Sequence, residues 1–251
     1  MDDQGTVNLM TPVTLTFHAL AKPATFMRVA GSSCRLLAMF SAILFAVGVP
    51  WSLWFSPPDR LHGEFVRLMY IHVPAAWSAM MAYALCGLTG AGYWIWRHPV
   101  ASLISEGFAE MAALLSALCL ITGMLWGKPA WGTWWVWDMR LTSMLLLFLL
   151  SVSVVLTYTL MTPVSLARNV GAIVASVGLM NLPLISFSVT WWTTLHQPAS
   201  IRWFAKDSVD ITMKLPLLIM ALAFTTLTLW CALRCAMRRL KALKEARGAP
   251  S

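Results

Sequence analysis

The sequence predicts an all-α integral membrane protein with six transmembrane helices, both termini cytoplasmic and a tryptophan-rich outer loop between the third and fourth spans. Three observations predict it: an apolar composition, six apolar stretches free of charge, and an uneven division of lysine and arginine between the two faces.

Of the 251 residues, 59% are hydrophobic and 11% charged, whereas a soluble domain carries about 25% charged residues. Most of the molecular surface must therefore face lipid. Only helices and closed barrels satisfy every backbone polar group in hydrocarbon, and a helix needs about 20 apolar residues to cross it. Residues 36–55, 68–96, 111–127, 141–167, 169–201 and 215–233 meet that requirement without an Asp, Glu, Lys or Arg. None alternates polar and apolar as a barrel strand would. The third stretch is short and is expected to extend back through 101–105, which places Glu106 and Glu110 inside the span or near its cytoplasmic end. The second and fifth are longer than a span needs and should each supply residues to an interface or loop.

Six spans put both termini on one side, together with the turns near Arg97 and Arg168. That side holds eleven of the 18 basic residues and the other side seven, so both termini are expected in the cytoplasm. The net charge of +8 is read as this bias rather than as a nucleic-acid surface. Residues 1–33 are expected to form a cytoplasmic amino-terminal extension, 34–233 the membrane domain and 234–251 a basic cytoplasmic tail, a short amphipathic or frayed helix. The first span is too long for a signal peptide and no small-residue cleavage site follows Phe55, so it is expected to remain as an anchor.

The five cysteines, Cys34, Cys86, Cys119, Cys231 and Cys235, fall in spans or near the cytoplasmic side and offer the outer loops no disulfide framework. Cys231 and Cys235 share a helix face and are read as a buried pair ahead of a metal site. The chain has no C-x-x-C-H, no Walker A sequence and no dinucleotide fingerprint. It is therefore read as a non-enzyme, with any nucleotide energy supplied by a partner.

The outer face carries the unusual residues. Ten of 14 tryptophans fall there, and Trp126, Trp131, Trp134, Trp135 and Trp137 crowd into twelve residues, followed by Asp138 and Arg140. Interfacial anchoring explains scattered tryptophans; a cluster this dense also suits a platform for a large, flat, apolar ligand. Asp138 has two readings, a charge of functional use or the N-cap of the following helix. Arg140 either pairs with it or holds a ligand carboxylate in two parallel hydrogen bonds.

His18, His62 and His98 sit in polar surroundings and read as solvated. His72, with Pro74 in a first helical turn, opens the second span at the outer face, and His196 closes the fifth. Two imidazoles at one depth, on separate spans beside a tryptophan platform, suit the two axial positions of a haem iron. Hydrogen-bonded packing of each histidine is the competing reading. Haem brings two propionates, for which Arg60, Arg67, Arg140 and Arg202 are the outer-face candidates.

Across the segment from Val66 through Tyr70, His72, Pro74 and Trp77, the tryptophan loop to Ser143, and Trp191 through His196, the chain resembles the CcmC family, haem exporter protein C of the cytochrome c maturation system. The resemblance covers the chain from about Leu36 to the sixth span. It implies that His72 and His196 ligate the iron of haem b, and that Trp126, Trp131, Trp134, Trp135, Trp137, Asp138 and Arg140 form a haem-presenting surface. It further implies the periplasmic face of a bacterial inner membrane, delivery to the haem chaperone CcmE, and association with CcmA, CcmB and CcmD, with CcmA hydrolysing ATP. Met139 and Met144 depart from the small and often acidic residues expected there. A cytochrome b-type electron carrier and a secondary transporter remain as alternatives: the first lacks histidines for a second haem in the inner half, and the second rests on Asn181 and Pro183 in the fifth span.

Overall fold

The structure, a computed structural model, describes residues 22–59, 63–192, 210–246 and 248. Among these, six helical segments are long and apolar enough to cross a membrane. The first is α1 (Pro23–Pro50), prolonged by a π turn at Trp51–Phe55. A 3-10 turn at Glu64–Leu68 leads into α2 (Met69–Trp96), which is followed by α3 (Pro99–Trp131) and α4 (Met139–Leu160). The fifth span is broken: α5 (Val164–Val177) and α6 (Asn181–Trp191) meet at a 3-10 turn, Gly178–Met180. The sixth is α7 (Ile211–Ala246).

Several boundaries differ from the sequence reading, each for a local reason. α1 starts at Pro23 rather than near Leu36, because a proline in the first turn is pre-organised for helix and Phe26 and Ala30 then bury against Ala236 and Leu240. The last part of the expected amino-terminal extension is thus the opening of a span. α4 stops at Leu160 instead of 167, since Pro163 disfavours helical backbone in the residue before it. Arg168 consequently lies within α5 and not in the turn. The basic tail continues α7 without a break as far as Ala246.

α2 and α3 form the centre of the bundle and α1 its rim. Small residues set the closest approaches. A methyl group on Gly107 of α3 would lie 2.5 Å from the Ala232 carbonyl of α7, so only glycine permits that crossing. A methyl on Gly178 would collide with the hydroxyl of Tyr83, which is fully buried in α2. The break in the fifth span therefore lies against the core, where irregular backbone is tolerated in a membrane. Beside it Asn181 donates its amide to the Ser143 carbonyl at 2.9 Å and ties α6 to α4. One end of the bundle, the termini end, gathers the start of α1, the finish of α7 and the α2–α3 turn. The other is the histidine end, where α2 begins and α3 finishes.

Candidate functional site: an imidazole at the tryptophan end

His72 lies in the first turn of α2 and faces α3. Its Nδ1 is 3.0 Å from the Cys119 carbonyl oxygen and 3.2 Å from Thr122 Oγ1. A carbonyl can only accept, so Nδ1 carries the proton. The Thr122 hydroxyl in turn donates to the Leu118 carbonyl at 2.7 Å and is available to His72 as an acceptor. In the neutral ring the lone pair therefore sits on Nε2, the tautomer used by a metal-ligating histidine whose other nitrogen is held by a backbone carbonyl.

The surroundings fix the ring in the same sense. Trp126 meets it edge-to-face, with centroids 6.0 Å apart and planes at 89°. Gly123 leaves the space the imidazole occupies, because a methyl there would stand 3.1 Å from His72 Cε1. Cys119, Thr122, Gly123 and Trp126 are spaced i, i+3, i+4, i+7 and so share one face of α3. This cradle was not singled out from sequence. The signal was available in that spacing, but nothing in one sequence says that the face meets His72.

The tryptophan segment is divided differently from expectation. Gly127 and Pro129 do not end α3; the helix runs to Trp131 and stops at Gly132, whose φ of 77° is a left-handed cap, with its N–H bonded to the Lys128 carbonyl at 3.0 Å. Trp126 and Trp131 therefore belong to α3, and Trp134, Trp135 and Trp137 to the short connection that follows. Trp134 and Trp137 are exposed, at 53% and 77%, which is the arrangement of a surface rather than a core. Trp135 packs edge-to-face on Trp137 at 5.4 Å, and its buried Nε1 has no hydrogen-bond partner among the described residues. Lys128 lies 5.9 Å over the Trp134 ring and donates to the Gly132 carbonyl at 3.1 Å, bracing the turn.

Asp138 is the N-cap of α4, its carboxylate accepting from Leu141 N at 2.8 Å. The helix-cap reading of this residue is thus met. Arg140, in the first turn of α4, lies within electrostatic reach of Cys119 and Asp138, beside the segment that holds His72. Arg67 is elsewhere engaged. It donates to the Leu53 carbonyl and, at 3.5 Å, to the Ser56 carbonyl, and pairs with Glu64 at 2.8 Å, bracing the π turn against the start of the second span. Arg60, His62, His196, Arg202 and Trp203 lie outside the described residues, so of the two axial candidates only His72 is placed. No group of three or more His, Cys, Asp and Glu capable of holding a bare metal ion occurs among the described residues.

A second charged group, at the termini end, gives Glu106 and Glu110 a partner the sequence reading had not assigned. Arg239 of α7 forms ion pairs with both carboxylates, and Cys235 donates to Glu110 at 3.1 Å. Cys235 is thus buried toward α3 while Cys231 is half-buried, and all five cysteines are free thiols.

The fold and this end of it define a class: a six-span membrane protein presenting an oriented imidazole and an exposed tryptophan surface together. The family model of heme exporter protein C, CcmC, matches residues 16–249. The chain is 40% identical to heme exporter protein C of Bradyrhizobium diazoefficiens, covering 85% of this chain and 81% of the relative. It is 38% identical to that of Haemophilus influenzae, covering 91% and 92%, and 37% identical to a putative ccmC-like mitochondrial protein for cytochrome c biosynthesis from Marchantia polymorpha, covering 83% and 89%. The chain belongs to the heme exporter protein C family.

Proposed function

We propose that this protein holds haem b at the outer boundary of a bacterial inner membrane and presents it to the chaperone CcmE for cytochrome c maturation. Family membership supports the broad role, haem handling in that pathway. The observation that carries the finer reading is the 3.0 Å approach of His72 Nδ1 to the Cys119 carbonyl, which calls for a proton on Nδ1 and so puts the ring's lone pair on Nε2, the nitrogen this proposal assigns to iron. His196 is the second axial ligand in this proposal. Two imidazoles fill both axial positions, which suits carrying haem better than oxygen chemistry.

Arg140 is the placed arginine that fits a propionate, because it lies beside the His72 cradle while Arg67 is engaged with backbone carbonyls and Glu64. Trp134 and Trp137, exposed beyond the end of α3, form the surface over which one edge of the macrocycle meets CcmE. Trp126 sits deeper, against the ligand itself. The excess of basic residues at the termini end, eleven of 18, supports a cytoplasmic location for both termini and a periplasmic one for the histidine end. CcmA, CcmB and CcmD complete the assembly, with ATP hydrolysis assigned to CcmA.

The test is the visible spectrum of protein purified from cells lacking CcmE. Wild type is expected to carry low-spin haem, and His72→Ala and His196→Ala to lose it or turn it high-spin. Trp134→Ala with Trp137→Ala is expected to keep the spectrum and, in cells that contain CcmE, to lose covalent loading of CcmE. Full low-spin haem in a His72→Ala, His196→Ala double variant would remove the ligand assignment.

A further inference from the structure

We propose that the groove between α1 and α7 at the termini end is a binding site for an anionic glycerophospholipid, with its phosphodiester held by Arg35 and Arg234. The groove encloses about 370 Å³ and is lined by residues of these two helices alone. Its floor is apolar: Cys34 Sγ meets Met237 Sδ at 3.9 Å, and Trp230 forms one wall. The groove has room over Gly31, where a methyl would reach only ordinary contact with Met237 Cε at 3.8 Å.

Its rim is wholly basic, made of Arg35, Arg234, Arg238 and Lys241. On α7 the spacing accounts for this. Trp230, Arg234, Arg238 and Lys241 follow i, i+4, i+8, i+11 and face the groove together, while Arg239 points to the next face and is taken by Glu106 and Glu110. Lys241 approaches Glu245 at 3.9 Å on an exposed turn. Arg35 and Arg234 have no carboxylate partner among the described residues. Arg234 is held 5.9 Å over the Trp230 ring, and tryptophan and arginine both favour the depth of the lipid headgroups.

This arrangement asks for a ligand with a negative head and an apolar body. Guanidinium groups take phosphate oxygens in paired hydrogen bonds, and basic pockets between spans are where acidic headgroups bind. Beside the groove, Met39, Phe40, Ile43 and Val47 leave an exposed apolar stripe along α1 on which acyl chains can lie. The site is at the opposite end of the bundle from His72 and stands whether or not the haem reading does.

The test uses the full chain in neutral detergent, given equal amounts of phosphatidylglycerol and phosphatidylcholine with matched acyl chains and read by native mass spectrometry. Wild type is expected to retain phosphatidylglycerol over phosphatidylcholine by about tenfold. Arg35→Gln with Arg234→Gln should bring that preference close to unity. Gly31→Leu, which fills the groove without removing a charge, should lower retention of phosphatidylglycerol as well. Equal retention of the two lipids by wild type, a wild-type preference in the double arginine variant, or undiminished phosphatidylglycerol retention in Gly31→Leu overturns the proposal. So does a photo-crosslinker at residue 31 that captures a polypeptide in native membranes, which would make the groove a subunit contact instead.

Discussion

The two ends of α3 carry polar side chains into the membrane and resolve them in opposite ways. At the termini end Glu106 and Glu110 meet Arg239, and Cys235 adds a fourth hydrogen-bonding group. Both carboxylates share one guanidinium within the protein. At the histidine end, sixteen residues or about 24 Å farther along the helix, Thr122 and the Cys119 carbonyl orient an imidazole. There Arg140 stands near an aspartate already used as a helix cap. A network of opposite charges is a clamp between α3 and α7; the oriented base, the cation and the exposed tryptophans are the groups assigned above, as a proposal, to haem.

The largest expected effect separates the ends by stability. Arg239→Leu leaves two carboxylates side by side in a span, and removal of one partner from such a pair costs about 3–5 kcal/mol. Because Arg239 and Glu110 are partly exposed, the lower end of that range is expected for thermal unfolding in detergent. Adding Glu106→Gln and Glu110→Gln should recover most of the loss. Failure to recover it would show that Arg239 does more than neutralise the glutamates.

At the other end, Gly123→Val places carbon where the His72 ring lies. The expected outcome is loss of the low-spin haem spectrum with little change in unfolding temperature, the reverse of the Arg239 result. Equal losses of haem and stability would collapse the distinction between the ends.

The smallest effect concerns Asp138. Asp138→Ala should cost about 1 kcal/mol through loss of the cap, whereas Asp138→Asn keeps a capping oxygen and should cost a few tenths. Haem loading that tracks the cap rather than the charge makes Asp138 a positioning residue; loading lost equally in both variants makes its charge part of the site.

Much of this fold was legible in the sequence because membrane spans announce themselves by length and lack of charge. The boundaries were less so. Pro23 and Pro99 open helices in polar sequence, where a hydropathy reading starts too late, and Pro163 ends a span inside an apolar run. Pro129, by contrast, reads as a breaker and is carried by the helix to Gly132. Of the site, His72 was visible as an imidazole at a span entrance, and Arg140 as a charge where the chain re-enters the membrane. The Cys119, Thr122 and Gly123 cradle was not, because it depends on which face of α3 meets α2. The link from Glu106 and Glu110 to Arg239 was hidden for the same reason, since it joins residues more than a hundred positions apart.

The central claim is that Nε2 of His72 ligates haem iron. It is tested most directly by purifying His72→Gly with haem and titrating free imidazole into the cavity left behind. High-spin or depleted haem is expected, becoming low-spin with the wild-type spectrum as imidazole enters. Low-spin haem before any imidazole is added, or a high-spin spectrum indifferent to it, would contradict the claim.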